Sequence, residues 1–455
     1  MFGLVNNGSK IGAISLYLFA LLLFVMPINI GVLVPSLYLW ALVTIISYFV
    51  LKDYSLKGIR VLLMLPSVFF LLHVARAIFF GSLRDELSDL ETKLSLLIIP
   101  LVFPFSRELY FLNRNKLLAI FVLGNAVALF FCYGFAIYRS LSFNGGELVF
   151  NPNISEFDSY FFGANLSVLL HPSYFSLYLN VCFLVLFALR KEFLATKLKF
   201  TAWMILIVLF FVSLLLLNSR IGIFIFLLLV VSLSIRSFFI KRRVFIGLAI
   251  LGFIMSILFV LPHFGEKQFR SIHNNTSQEI ETGFLNRMSL KYYLTLLAAK
   301  DLVVTRKLPE WKEDWTTMRI YIWKGSLSLI ENNIWVGIGP NSIRQALTNF
   351  YEKEGIVYAA ESKLNCHNQF LETCLGIGLW GLLFLILLIA VSILYAFKQK
   401  NWFFIGFIAF FIILFFVESA FNRIAGIASF SVFFSFFLSY FGLAAYVSKR
   451  VNSIN

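Results

Sequence analysis

The sequence predicts an all-α polytopic membrane protein, with about twelve spanning helices and one large helical loop outside the cytoplasm. Three observations carry this prediction. The 455 residues are 60% hydrophobic and only 13% charged, with mean hydropathy +0.87, far more apolar than a soluble domain. The apolar residues gather in runs of about 20, the length that crosses a hydrocarbon core. The basic residues fall in short clusters between those runs, at alternate connections. The net charge of +15 therefore reports helix orientation in a bilayer and does not call for a nucleic-acid partner.

In chain order the expected spans are 11–27, 33–51, 61–80, 94–105, 117–138, 167–189, 201–218, 221–235, 244–262, 375–397, 402–417 and 425–447. The first run meets Pro27 and a second apolar run rather than a small-residue cleavage site, so it is expected to remain as a span. The run at 94–105 is interrupted by Pro100 and Pro104 and is too short to cross alone. It is expected as a broken or re-entrant helix extended by 88–93. Counting it makes the charges alternate. Lys10, Lys52/Lys57/Arg60, Arg107/Arg114/Lys116, Arg190/Lys191/Lys197/Lys199, Arg236/Lys241/Arg242/Arg243, Lys398/Lys400 and Lys449/Arg450 then share one side. By the positive-inside rule that side is the cytoplasm, and both termini lie on it. The opposite connections are uncharged at 28–32, more acidic than basic at 81–93, and carry Glu147, Glu156 and Asp158 in 140–166.

The long connection 263–374 falls on the far side. It divides the chain into N-terminal helices (1–200), a core that includes the loop (201–385) and C-terminal helices (386–455). Helical periodicity recurs within it near 284–302, 316–331 and 341–352, and Gly337-Ile338-Gly339-Pro340 marks a turn between two of these helices. No inverted repeat joins the two halves, which weighs against many secondary transporters. Cys132, Cys182, Cys366 and Cys374 have neither zinc-motif spacing nor the look of a disulfide framework. None of His73, His171, His263, His273 and His367 forms a compact metal-ligand spacing, so neither a metal nor another cofactor is expected.

Six places carry chemistry. Asn218-Ser219-Arg220 turns between two apolar runs, so Arg220 sits at the outer membrane face, where a guanidinium suits either a phosphate or the anchoring of a helix end. Arg319 and Trp323 share a helix face at i and i+4, as a cation beside an aromatic wall or as a surface cation–π pair. Arg287 is a further cation in the loop. His367, in His367-Asn368-Gln369-Phe370-Leu371-Glu372, stands where the loop returns to the membrane, and serves either as a neutral base or as a polar residue opening the next helix. His171-Pro172-Ser173-Tyr174 opens the sixth span, and Glu418 with Arg423 lies between the last two, where the two charges are expected to pair.

Together these residues resemble the O-antigen ligase and polymerase family over roughly 205–385. The resemblance rests on Asn218-Ser219-Arg220 before an apolar helix, Arg319 with Trp323, Gly337-Ile338-Gly339, and His367-Asn368-Gln369-Phe370-Leu371 running into Gly376 and Gly378. Leu94-Ser95-Leu96-Leu97, His171-Pro172-Ser173-Tyr174 and 418–423 extend it to most of the chain. The resemblance implies a GT-C-like bundle in the bacterial inner membrane, working in lipopolysaccharide biosynthesis. It implies a metal-independent, inverting glycosyltransferase that moves a glycan from an undecaprenyl diphosphate donor to lipid A-core or another glycan acceptor on the periplasmic side. Arg220 and Arg319, assisted by Arg287, would hold the diphosphate, and His367 would take the acceptor proton. Trp323, Asn368, His171 and Tyr174 would line the substrate. No Asp-x-Asp occurs in the chain, in keeping with a site without metal. A repeat-unit polymerase or a protein O-glycosylating enzyme shares these features. A transporter or flippase for a polyprenyl-linked glycan is the alternative of another class; it calls for charges lining a path through the spans, whereas here the Arg/His set gathers at one face.

Overall fold

Hydrocarbon offers no water to bond backbone amides, so an apolar run must coil into a helix whose hydrogen bonds close within itself. The computed structural model describes residues 10–51, 60–81, 83–144, 147–154, 159–193, 195–238 and 315–442, and these are almost entirely helical. The helices are α1 (Lys10–Val25), α2 (Ile30–Leu51), α3 (Leu65–Phe80), α4 (Leu83–Lys93), α5 (Ser95–Val102), α6 (Arg107–Leu112), α7 (Arg114–Ser140), α8 (Pro172–Ala188), α9 (Lys197–Leu216) and α10 (Arg220–Phe238). After them come α11 (Trp315–Asn333), α12 (Ile343–Lys353), α13 (Gln369–Lys398), α14 (Trp402–Phe415) and α15 (Ile424–Gly442). Among the described residues Ile30–Val50, Ser95–Leu112, Arg114–Ser140, Lys197–Leu216 and Gln369–Lys398 are long and apolar enough to cross a membrane, and shorter apolar helices accompany them. The molecule is a helical membrane protein. The span expected at 244–262, the helix expected at 284–302 and the candidate Arg287 lie outside the described residues.

The proline-interrupted stretch is longer than 94–105. Pro100 has no N–H to give the Leu96 carbonyl, and the Ser67 hydroxyl on α3 donates to that oxygen (3.2 Å) and to the Leu97 oxygen (3.3 Å) in its place. A 3-10 turn, Phe103–Ser106, absorbs Pro104, and α6 carries the helical path on to Leu112. Arg107, expected in an exposed connection, is consequently buried. The extension 88–93 exists, but as part of the separate helix α4.

The connection 140–166 corrects the all-α prediction. It holds a two-stranded antiparallel ribbon of β1 (Leu141–Asn144) and β2 (Glu147–Phe150), with Leu141 opposite Phe150 and Asn144 opposite Glu147. Alternation of apolar and polar residues broken by Gly145-Gly146 favours a two-residue hairpin over a helix.

Two cores result. The large one runs through the bundle and is rich in phenylalanine. Where α14 meets α15, Phe411, Phe415, Phe421 and Phe430 interlock edge to face, and Phe407 meets Phe437 in the same way. The small one joins α11, α12 and the Val357–Glu361 turn around Ile322, Ile343, Leu347, Tyr351 and Cys366. The helices expected at 316–331 and 341–352 are α11 and α12, and the turn between them has left-handed Gly337 (φ +70°) and Gly339 (φ +95°).

Candidate active site

The site is built on the first turn of α13. Asn368 caps it: its Oδ1 accepts from the Phe370 and Leu371 amides at 2.9 and 3.1 Å, and its Nδ2 donates to the Phe416 carbonyl. Two further side chains tie this turn to the 416–422 connection between α14 and α15. Gln369 Oε1 accepts from the Phe421 amide at 2.7 Å. The buried Glu372 carboxylate accepts from Asn422 (2.6 Å), Ser419 (2.9 Å) and the Cys366 amide. A buried carboxylate needs such donors, and the helix N-terminus favours its charge. His367, one residue before the cap, is held at φ +43°, a left-handed conformation that a histidine keeps only when its surroundings impose it.

That conformation sets His367 Nδ1 3.4 Å from Glu418 Oε2, within ion-pair reach but long for a hydrogen bond. Glu418 also accepts from the Ser173 hydroxyl at the start of α8, at 3.2 Å. Burial pushes the Glu418 carboxyl up, yet the adjoining His367, then His171 and Arg319, outweigh it and hold the pKa below the usual carboxylate value. His171 is the N-cap of α8, accepting from the Ser173 amide. Crowding by the surrounding chain lowers its pKa; Glu418 opposes this and the Arg423 and His367 charges reinforce it. Two imidazoles and the Arg319 guanidinium thus act on one largely buried carboxylate.

Arg220 opens α10, after a turn in which Asn218 takes φ +49°. Ser176 on α8 donates to Ser219 at 2.9 Å, and Asn180 Nδ2 donates to the Gly222 carbonyl at 2.9 Å. A Cβ on Gly222 would stand 2.3 Å from Ser176 Cβ, so only glycine allows α10 to press this closely on α8. Arg220 therefore stands at the end of α8 that also presents Ser173 to Glu418. His171, His367 and Arg319, from three separate stretches of chain, all act on the Glu418 carboxylate, and the turn that carries Arg220 is bonded to the same end of α8.

The other expected residues are placed as follows. Trp323 packs against the small core, and its indole N–H has no hydrogen-bond partner among the described residues. Tyr174 is buried, its ring 6.1 Å from that of His171. Asn368 has both ends of its amide committed, the oxygen to capping α13 and the nitrogen to the Phe416 carbonyl. Arg423 does not pair with Glu418 as expected: it is exposed, and Glu418 turns to His367 and Ser173. The pairing of Glu418 with His367 escaped the sequence because it spans 51 positions; a carboxylate beside the membrane was the only signal.

A second charged cluster braces this end. Arg76 on α3 and Glu86 on α4, both buried, pair at 2.9 Å. Glu86 Oε2 accepts from the Asn341 amide, and Arg76 Nη2 lies 3.5 Å from the Gly337 carbonyl. Burial raises the pKa of Glu86, against the Asn341 amide and Arg76. The turn 337–341 is bonded in addition to α13, through the Ile338 amide and the Leu375 carbonyl at 2.7 Å. Among the described residues no group of three or more His, Cys, Asp or Glu is arranged to hold a metal ion.

Residues 205–386, which carry Arg220, Arg319, Trp323 and His367, match the family model described as O-antigen ligase. This segment belongs to the O-antigen ligase family. The match coincides with the stretch in which the resemblance was legible, 205–385. That stretch is similar to a family described as O-antigen ligase, and the apolar helices are those of a membrane protein. No curated protein matches the chain.

Proposed function

We propose that the chain is a metal-independent, inverting glycosyltransferase of the bacterial inner membrane, an O-antigen ligase that moves a glycan from undecaprenyl diphosphate to lipid A-core at the periplasmic face. The observation that carries the reading is the His367–Glu418 pair, 3.4 Å apart, with Arg319 close enough to lower the carboxyl pKa; His367 and Arg319 lie within the stretch that matches the O-antigen ligase model.

In the proposed reaction the acceptor hydroxyl oxygen attacks the anomeric carbon from the face opposite the diphosphate. The carbon–oxygen bond to phosphorus breaks, and undecaprenyl diphosphate leaves with the bonding electron pair. Glu418 facing Nδ1 favours the tautomer that carries a proton there, which leaves Nε2 of His367 to take the acceptor proton. Negative charge grows on the departing diphosphate, and fixed guanidiniums of Arg220 and Arg319 offset it without reorganising. Arg287 is assigned to the same task as a third cation. Twelve spans, with 263–374 periplasmic and both termini cytoplasmic, complete the proposal.

Complementation of a host lacking the gene tests this. Arg220→Ala, Arg319→Ala and His367→Ala are each expected to leave lipid A-core unmodified while carrier-linked polymer accumulates. Core bearing a single repeat would assign the chain to polymerisation instead. Wild-type complementation by all three variants at equal expression would remove the site assignment.

A further inference from the structure

The ribbon β1–β2 is amphipathic, and nothing in the described protein covers most of its apolar face. Residues opposite one another across an antiparallel pair share a face, and alternate residues along a strand share it too. The register therefore puts Leu141, Phe143, Leu148 and Phe150 on one side, and Ser142, Val149 and Glu147 on the other. The four apolar side chains are 39%, 78%, 59% and 53% exposed. Phe150 has a ring neighbour, Phe161, at 6.4 Å, whereas Phe143 stands out from the molecule. In water, each such side chain leaves apolar surface unburied, and a lone two-stranded ribbon is marginal.

The ribbon is also fixed to a span. β1 follows α7 without a break, and the Asn151 amide donates to the Ser140 carbonyl at 2.7 Å, closing the base of the hairpin on the last residue of α7. Four-residue strands reach at most about 14 Å from that point. The outer face of α7 leads into the ribbon as an exposed aromatic ladder: Phe131 stacks on Phe135 at 6.4 Å and Phe135 on Tyr138 at 6.2 Å. Arg139 closes it, its guanidinium 4.8 Å from the rings of Phe135 and Tyr160. Aromatic rings with an arginine at the end of an apolar helix mark the level where hydrocarbon gives way to headgroups.

We propose that the β1–β2 ribbon lies in the membrane interface at the C-terminal end of α7, with Leu141, Phe143, Leu148 and Phe150 against the lipid acyl chains and Ser142 and Glu147 toward the headgroups. The occupant of the apolar face is bilayer lipid, because that face continues the lipid-facing stripe of α7. The inference rests on α7 crossing the membrane and is independent of the transferase reading. It gives the ribbon the task of holding the chain that leads to His171 at a fixed depth.

All four native cysteines are buried, so single introduced cysteines can be spin-labelled selectively in the full-length protein. Phe131→Cys, Ser142→Cys, Phe143→Cys and Leu148→Cys, each in phosphatidylcholine nanodiscs, are compared for relaxation by oxygen, which concentrates in lipid, and by a water-soluble nickel chelate. Labels at 143 and 148 are expected to follow the lipid-facing label at 131, with oxygen contact exceeding nickel contact several-fold, and the label at 142 to show the reverse. Greater nickel than oxygen contact at 143 and 148 would overturn the proposal in favour of a water-exposed ribbon. Shielding of both from both reagents would overturn it in favour of a protein partner, including a second copy. Loss of oxygen contact at 131 as well would remove the spanning role of α7 on which the inference stands.

Discussion

His367 is held at φ +43° with its Nδ1 toward a carboxylate that burial alone would neutralise, and each of these facts makes a demand on a neighbour. Glu418 has its pKa lowered on folding, so it binds fewer protons folded than unfolded. Its contribution to stability is complete above the ordinary carboxylate range and is lost as pH falls through the lower folded value. Melting Glu418→Gln in detergent between pH 6 and pH 3 is expected to show a shallower loss of stability than wild type over that acid window. The same variant should lower kcat by about 10- to 100-fold with little change in donor KM, since it disturbs the orientation of the base rather than donor binding. Asn368→Ala removes a helix cap and should cost about 1 kcal/mol, read as a lower melting temperature. Asn368→Asp, which retains the accepting oxygen, should recover most of that loss and of the activity; recovery would identify Asn368 as a positioning residue, whereas failure would return it to substrate contact. At this scale the sequence revealed residue types but not partners. Arg220, Arg319 and His367 stood out by position, yet the expected Glu418–Arg423 pair was drawn from proximity in sequence, and packing gave Glu418 to a histidine 51 positions away.

Elements were legible where composition alone determines them. Among the described residues, apolar runs long enough for lipid became helices, the Gly337–Pro340 turn appeared between two loop helices, and the helix that carries Pro100 gave way to a 3-10 turn at Pro104. The hairpin was missed although its alternation and paired glycines were present, because the connection was read for charge. The brace between α3, α4 and the 337–341 turn was beyond reach, since it joins residues more than 250 positions apart. Removing one partner of a buried ion pair costs about 3–5 kcal/mol, so Arg76→Ala and Glu86→Ala should each lower the melting temperature sharply. The double replacement Arg76→Met/Glu86→Leu should cost less than the two single changes added together, because it leaves no unpaired buried charge. Gly339→Ala tests the same joint from its other side. Its φ of +95° and the 2.2 Å separation between a built Cβ and Glu86 Oε1 predict destabilisation of at least about 1–2 kcal/mol, visible in the same melting assay.

Across the whole molecule, the helices do for the site what a rigid scaffold does for any catalytic group: they hold charges from distant parts of the chain at one end. The start of α8 brings Ser173 and His171, α11 brings Arg319, and the turn into α13 brings His367 to the Glu418 carboxylate between α14 and α15. Fold class and family were readable because both are written in long-range composition and in short motifs whose order survives. Which charges meet was not, because helix packing decides it. The central claim is that fixed guanidiniums and one imidazole perform the transfer without a metal. It is tested most directly by following glycan transfer from undecaprenyl diphosphate to lipid A-core with purified full-length protein in excess EDTA, for wild type and His367→Ala. Undiminished wild-type transfer, with a loss of about 100-fold or more in the variant, is the predicted result. Abolition of wild-type transfer by EDTA and its restoration by a divalent ion, or near-normal transfer by His367→Ala, would contradict it.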